Sequence, residues 1–147
     1  MNKKEVKLMK KFTLLMCMMT ICVGTAFSET TVSIPFFADE VNGIRAFVGL
    51  QNVGEESITI TASYLNATGA GAASGGTFTL APGASISYRP SFAGGGEVQA
   101  AGLLDAPSSY GGLGSITFQI PGGAKVAGRY IQFSSNGTVF GHNLERQ

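Results

Sequence analysis

From Ile44 the chain alternates apolar and polar positions. Ile44, Ala46, Val48 and Leu50 stand against Arg45, Phe47, Gly49 and Gln51. Gly54-Glu55-Glu56 interrupts the pattern, which resumes with Ile58, Ile60, Ala62 and Tyr64 against Thr59, Thr61, Ser63 and Leu65. A period of two places every second side chain on one sheet face, so each run is a strand with one face suited to a core. The spacing predicts a hairpin joining Ile44–Asn52 to Ser57–Leu65 through Val53-Gly54-Glu55-Glu56. A second hairpin-like pair, Thr77–Leu80 and Ser85–Arg89, flanks Ala81-Pro82-Gly83-Ala84, where Pro-Gly suits the centre of a type II turn. Ile116, Phe118 and Ile120 alternate with Ser115, Thr117 and Gln119, and Val126–Ser134 and Thr138–Leu144 surround the hairpin signal Asn136-Gly137. Thr30–Phe37 opens the series. Its Pro35 cannot donate to a ladder and predicts an edge or a bend, while Phe36 and Phe37 read as a core pair. Asn66–Gly76 reads as an exposed loop and Ser91–Gly114 as a long irregular segment with a short strand over 97–100. Between Ile44 and Pro90 no run has helical spacing. The expectation is an all-β antiparallel β-sandwich of immunoglobulin-like size with seven to eight strands. A small closed barrel is the rival.

The N-terminus departs from this pattern. Lys3, Lys4, Lys7, Lys10 and Lys11 precede an apolar run from Phe12 to Val23, and Ala26 and Ser28 supply a small-x-small exit. That is the pattern of a secretory signal peptide, too short in its apolar part to span a bilayer that needs about 20 residues. Residues 1–28 are therefore expected to be a cleaved leader, cut between Ser28 and Glu29, and residues 29–147 a single domain. Met9-Lys10-Lys11 would itself make an ordinary start. Both cysteines, Cys17 and Cys22, fall in the leader; neither follows a small residue as lipid attachment requires, and the exported chain would hold no disulfide or thiolate site. Without the leader, five basic and eight acidic residues leave a net charge of −3. No basic run remains to neutralise phosphates, which argues against a nucleic-acid partner. No membrane span is expected after cleavage.

Few residues carry candidate chemistry. His142 is the only histidine, no Gly-x-Ser-x-Gly elbow presents a serine, and one histidine without cysteine leaves zinc without ligands. Asp39-Glu40-Val41-Asn42-Gly43 offers oxygen ligands for calcium from Asp39, Glu40 and Asn42. It lacks the long loop and closing glutamate of a specific calcium motif and reads as an acidic turn. The glycine runs near Gly69–Gly76 and Gly94–Gly96 are not followed by Lys-Ser/Thr or a helix, so they are not phosphate loops. Glu97 and Asp105 are the carboxylates of the irregular segment, flanked by glycines that would hold a catalytic pair loosely. Tyr64, Tyr88 and Tyr130 fall on strand positions expected in the core. Tyr110, between Ser109 and Gly111, is the aromatic placed to be exposed and is a weak candidate for ligand contact. Asn66-Ala67-Thr68 and Asn136-Gly137-Thr138 match the glycosylation sequon, which matters only in a eukaryotic secretory route. No cofactor is expected.

Several strand-and-turn patterns resemble a known group. Val32-x-Ile34-Pro35-Phe36-Phe37, Phe47-Val48-Gly49-Leu50-x-Asn52, Tyr64-x-Asn66, Phe78-x-Leu80-x-Pro82-Gly83, Ser87-Tyr88-Arg89-Pro90 and Gly128-Arg129-x-Ile131-Gln132 resemble uncharacterised exported bacterial β-sandwich domains of immunoglobulin-like type. The resemblance implies an extracytoplasmic, non-catalytic module and assigns no ligand or catalytic residue. The expected role is an exported structural or interaction module of the cell surface, periplasm or extracellular matrix. Its partner would be a protein or extracellular polymer, and its strand edges are open to oligomerisation. A carbohydrate- or small-ligand-binding sandwich is the alternative; a hydrolase is the weakest reading. N-terminal sequencing of exported material is expected to begin at Glu29, and an intact Met1 or Met9 would refute cleavage.

Overall fold

The computed structural model describes residues 28–92, 98–137 and 139–144. Residues 1–27, which make up nearly all of the expected leader, Glu97 and residues 145–147 lie outside them. The strands are β1 (Thr30–Ala38), β2 (Arg45–Asn52), β3 (Ile58–Asn66), β4 (Ala73–Leu80), β5 (Ser85–Tyr88), β6 (Leu113–Ile120), β7 (Val126–Phe133) and β8 (Val139–Leu144). A 3-10 turn covers Ser108–Tyr110. Two antiparallel sheets, β1-β6-β3-β4 and β5-β2-β7-β8, share one core. Ile34, Tyr64 and Phe118 from the first sheet and Val48, Tyr88 and Tyr130 from the second are essentially sealed from water. Each such side chain contributes roughly 1.5–3 kcal/mol by burial. Burial also pushes the hydroxyls of Tyr64 and Tyr130 up to about 12 and that of Tyr88 well above the ordinary tyrosine value, so all stay neutral under ordinary conditions.

The alternating runs are strands as the pattern predicts, but the expected partners change. β2 and β3 do not form a hairpin: β2 pairs with β5 and β7, and β3 with β4 and β6. β4 and β5 likewise part into different sheets, although Ala81–Ala84 does form a turn, with Ala84 N donating to Ala81 O at 3.0 Å and Gly83 at positive φ. Alternation fixes which face a strand buries, not which sheet it joins. The side chain of Asn52 explains the crossing. It is wholly buried, and its Nδ2 donates to Glu56 O at 2.7 Å and Leu80 O at 3.0 Å while its Oδ1 accepts from Gly54 N at 2.9 Å. Its backbone bonds Gly83 and Ala84, so one residue ties the β2–β3 crossing to the β4–β5 turn. The hairpin at Asn136-Gly137 holds: β7 pairs with β8 in full register.

Two other expectations shift for local reasons. β1 is an edge strand, and the register slips by one residue between Ile34 and Phe37, a bulge at Pro35. The slip buries Phe37 but turns Phe36 outward, half exposed, so the two are not a core pair. The glycine-rich loop is shorter than expected, because Ala73–Gly76 already belongs to β4. A Cβ at Gly75 would stand 2.8 Å from Ala62 Cβ and 2.9 Å from the Tyr64 ring: these residues look loop-like because Tyr64 fills the space their side chains would take. The β3–β4 register slips at Gly75, and the segment after Val98 is tacked onto that bulge, with Leu104 N donating to Gly75 O and the Tyr64 hydroxyl to Leu104 O. Of the strand expected over 97–100, Glu97 lies outside the described residues, and over 98–100 there is one bridge, between Val98 and Ser87.

Asn52→Ala should cost about 3 kcal/mol in urea unfolding, because it strands two buried carbonyls, and Asn52→Asp more, because it sets a carboxylate against them.

Candidate functional site

At the opposite end of the sandwich the acidic turn is not an open oxygen cluster. Asp39 is fully buried. Its Oδ1 accepts from Arg89 Nη2 at 2.7 Å, Arg89 Nε at 3.2 Å and Ala46 N at 3.2 Å, and its Oδ2 from Ser91 N at 3.0 Å. Arg89 Nη2 also pairs with Glu40. The hydrogen bond from Arg89, then its charge, holds the exposed Glu40 carboxyl below the usual glutamate range. Burial alone would lower the pKa of Arg89, but the bonds and charges of Asp39 and Glu40 outweigh it and raise it. The guanidinium thus occupies the position a calcium ion would need between Asp39 and Glu40, while Asn42 lies exposed at positive φ in the same turn. Among the described residues no group of three His, Cys, Asp or Glu side chains gathers as a metal site.

The other candidates lie apart. Tyr110 is half buried on the 3-10 turn and its hydroxyl donates to Gly71 O, so it braces the β3–β4 loop. His142 is exposed on β8, with its ring 5.4 Å from that of Tyr130 and 6.1 Å from that of Phe140. No ion pair joins it to a carboxylate among the described residues. Asp105 is exposed, and Glu97 lies outside the described residues. Ser28 and Glu29 are exposed at the foot of β1, the Ser28 backbone lying against Gly122. Among the described residues no helix is long and apolar enough to cross a membrane.

Two surfaces stand out that the residue-by-residue reading missed. The strands of the first sheet carry no charged residue. Their outer face is a registered hydroxyl and amide lattice, with rows Thr31–Gln119–Thr61–Thr77 and Ser33–Thr117–Ser63–Ser74. Thr61 and Thr77, and Thr59 and Thr79, bond through their hydroxyls at 3.2 Å. The outer face of the second sheet holds a 460 Å³ groove crossed by the row Ser87–Gly49–Arg129–Asn143. The alternation that marks inward apolar residues also marks these outward ones; only strand order shows which of them share a row.

No family model matches the chain, and no curated protein matches it. Among solved structures, "Crystal Structure of Thermotoga maritima 1070" is similar, with a TM-score of 0.53 at 12% identity over 79% of this chain and 92% of that one. At that identity the likeness carries the fold alone.

Arg89→Met should cost roughly 3–5 kcal/mol in chemical unfolding, since it leaves the Asp39 carboxylate buried and unpaired. The Glu40 carboxyl is depressed in the folded chain, so its contribution is present at neutral pH and is lost as acid takes the pH from the ordinary glutamate range down through the lowered folded value. A Glu40→Gln variant should lack that part of the acid-side loss in unfolding measured against pH.

Proposed function

We propose that the chain is an exported, non-catalytic structural or interaction module of the bacterial cell surface, periplasm or extracellular matrix. The observation that carries this is the charge-free face of the first sheet, whose strands present only Thr, Ser and Gln among their outward polar side chains. Such a face suits contact with a hydroxylated polymer or a second protein far better than it suits general acid–base chemistry, which needs titratable groups held together. The leader-like N-terminus, cut between Ser28 and Glu29, supplies the route of export in this reading. Size and two-layer architecture keep the module immunoglobulin-like in the broad sense. Its strand order is its own: β1 pairs with β6, where the immunoglobulin fold pairs its first strand with its second.

Assembly through strand edges belongs to the same reading. β8 is an edge strand with Val139 58% and Phe140 61% exposed on opposite faces, and it carries no lysine or proline to blunt pairing. Ligand binding in the manner of a small-molecule sandwich is the second reading, favoured by the groove over Gly49.

Cell fractionation should place the protein outside the cytoplasm, and size-exclusion of purified protein should show larger species as concentration rises. A cytoplasmic location would sink the export reading; a monomer at every concentration would sink edge assembly.

A further inference from the structure

The groove on the second sheet is built around one cation. Arg129 lies on the outer face of β7, and no carboxylate among the described residues stands within ion-pair distance of it. Its stem crosses directly over Gly49 on the neighbouring strand: a Cβ at Gly49 would stand 3.2 Å from Arg129 Cγ and 3.3 Å from Nε. β2 lies inside its sheet, between β5 and β7. Glycine there forgoes roughly 0.5–1 kcal/mol of strand stability, and such a position characteristically marks the close approach of another group to the backbone. Here it lets the guanidinium lie low over a flat floor. Around it stand the exposed Gln51, Ser85 and Asn143, neutral donors and acceptors, Gln51 also donating to Gly83 O at 3.3 Å, with the largely buried Ser87 beneath and Val98 as the apolar margin.

We propose that this groove binds an acidic saccharide, with the Arg129 guanidinium clamping a ring carboxylate. The planar fork matches a carboxylate through two parallel N–H···O bonds. Amide and hydroxyl side chains match sugar hydroxyls, and Val98 offers a surface for the C–H side of a ring. The volume of 460 Å³ falls within the range of small-ligand sites and suits a mono- or disaccharide. A peptide is disfavoured, because the backbone groups of the floor are already spent in the β5-β2-β7-β8 ladders and the groove holds no second apolar pocket to read alternate side chains. A polyphosphate backbone is disfavoured because a single arginine neutralises too little charge. This goes beyond the module reading, which fractionation tests separately and which stands or falls without it.

The test is a titration of the nitrogen-labelled protein with digalacturonate, followed by amide chemical shifts. Saturable shifts are expected at Gly49, Ser87, Arg129 and Asn143, weakening as salt is added. Arg129→Gln should weaken binding by about tenfold or more, the loss of one charge-assisted bidentate contact. Gly49→Val, a strand-compatible change that displaces the arginine stem, should weaken it as well. Arg45→Gln, on the same face outside the groove, should leave it unchanged. Circular dichroism would confirm that each variant keeps its sheet content. The proposal is overturned if no saturable shift appears at these amides, if neutral digalacturonate methyl ester binds as tightly as the acid, if Arg129→Gln binds as the parent does, or if trialanine with a free carboxylate binds as tightly as digalacturonate.

Discussion

The structure depends on a carboxylate that water never reaches. Asp39 leaves β1 and turns the chain toward β2, and its oxygens accept from Arg89 at the end of β5, from the Ser91 backbone beyond it and from Ala46 in β2. Its own amide donates to Gly112 O, on the approach to β6. One side chain and its backbone thus gather the ends of strands from both sheets. A buried charge is tolerated only when paired and hydrogen-bonded throughout. That demand makes the arrangement selective: a displaced β5 would leave an ion in the core.

At the other end a neutral amide does the corresponding work. Asn52 joins two places where the chain passes from one sheet to the other, and the backbone of Val53 next to it bonds Lys125 in the third. Between these two fastenings the core is ordinary, built of β-branched and aromatic side chains from alternating positions. One polar atom within it, the sealed Tyr88 hydroxyl, has no hydrogen bond of ordinary geometry among the described residues; the Tyr64 hydroxyl is its electrostatic neighbour. The buried ion pair therefore sits at one rim of the sandwich and the amide fastening at the other.

Much of the fold was legible in the sequence because burial has a period. Ala46, Val48 and Leu50, or Ile116, Phe118 and Ile120, announce a strand and its inward face without help from the rest of the chain. Pairing was less legible. Val53–Glu56 has the length of a hairpin loop, and nothing in those residues says that Asn52 will be buried and will hold the crossing instead. Asn136-Gly137 was readable because positive φ at a turn is a local preference. Gly75 misled for the opposite reason: its lack of a side chain answers to Tyr64, a residue eleven positions earlier that sequence alone does not place beside it. The candidate site was the least legible part. Asp39 and Glu40 read as an acidic turn with oxygens to offer, because Arg89 is remote in sequence, and nothing singled out Arg129 before the register set it across Gly49.

The lattice of hydroxyls on the first sheet has one more consequence. A surface without ions exerts no repulsion on a copy of itself, and its side chains can donate and accept alike, so two such planes can be laid together in many registers at little difference in energy. Whatever keeps neighbouring molecules apart, or sets their angle when they meet, must come from the ionic rims, where Glu55, Glu56 and Lys125 sit at one end and Glu40 and Arg45 at the other. The outer face of the first sheet is thus indifferent to register, and discrimination falls to the charged positions elsewhere.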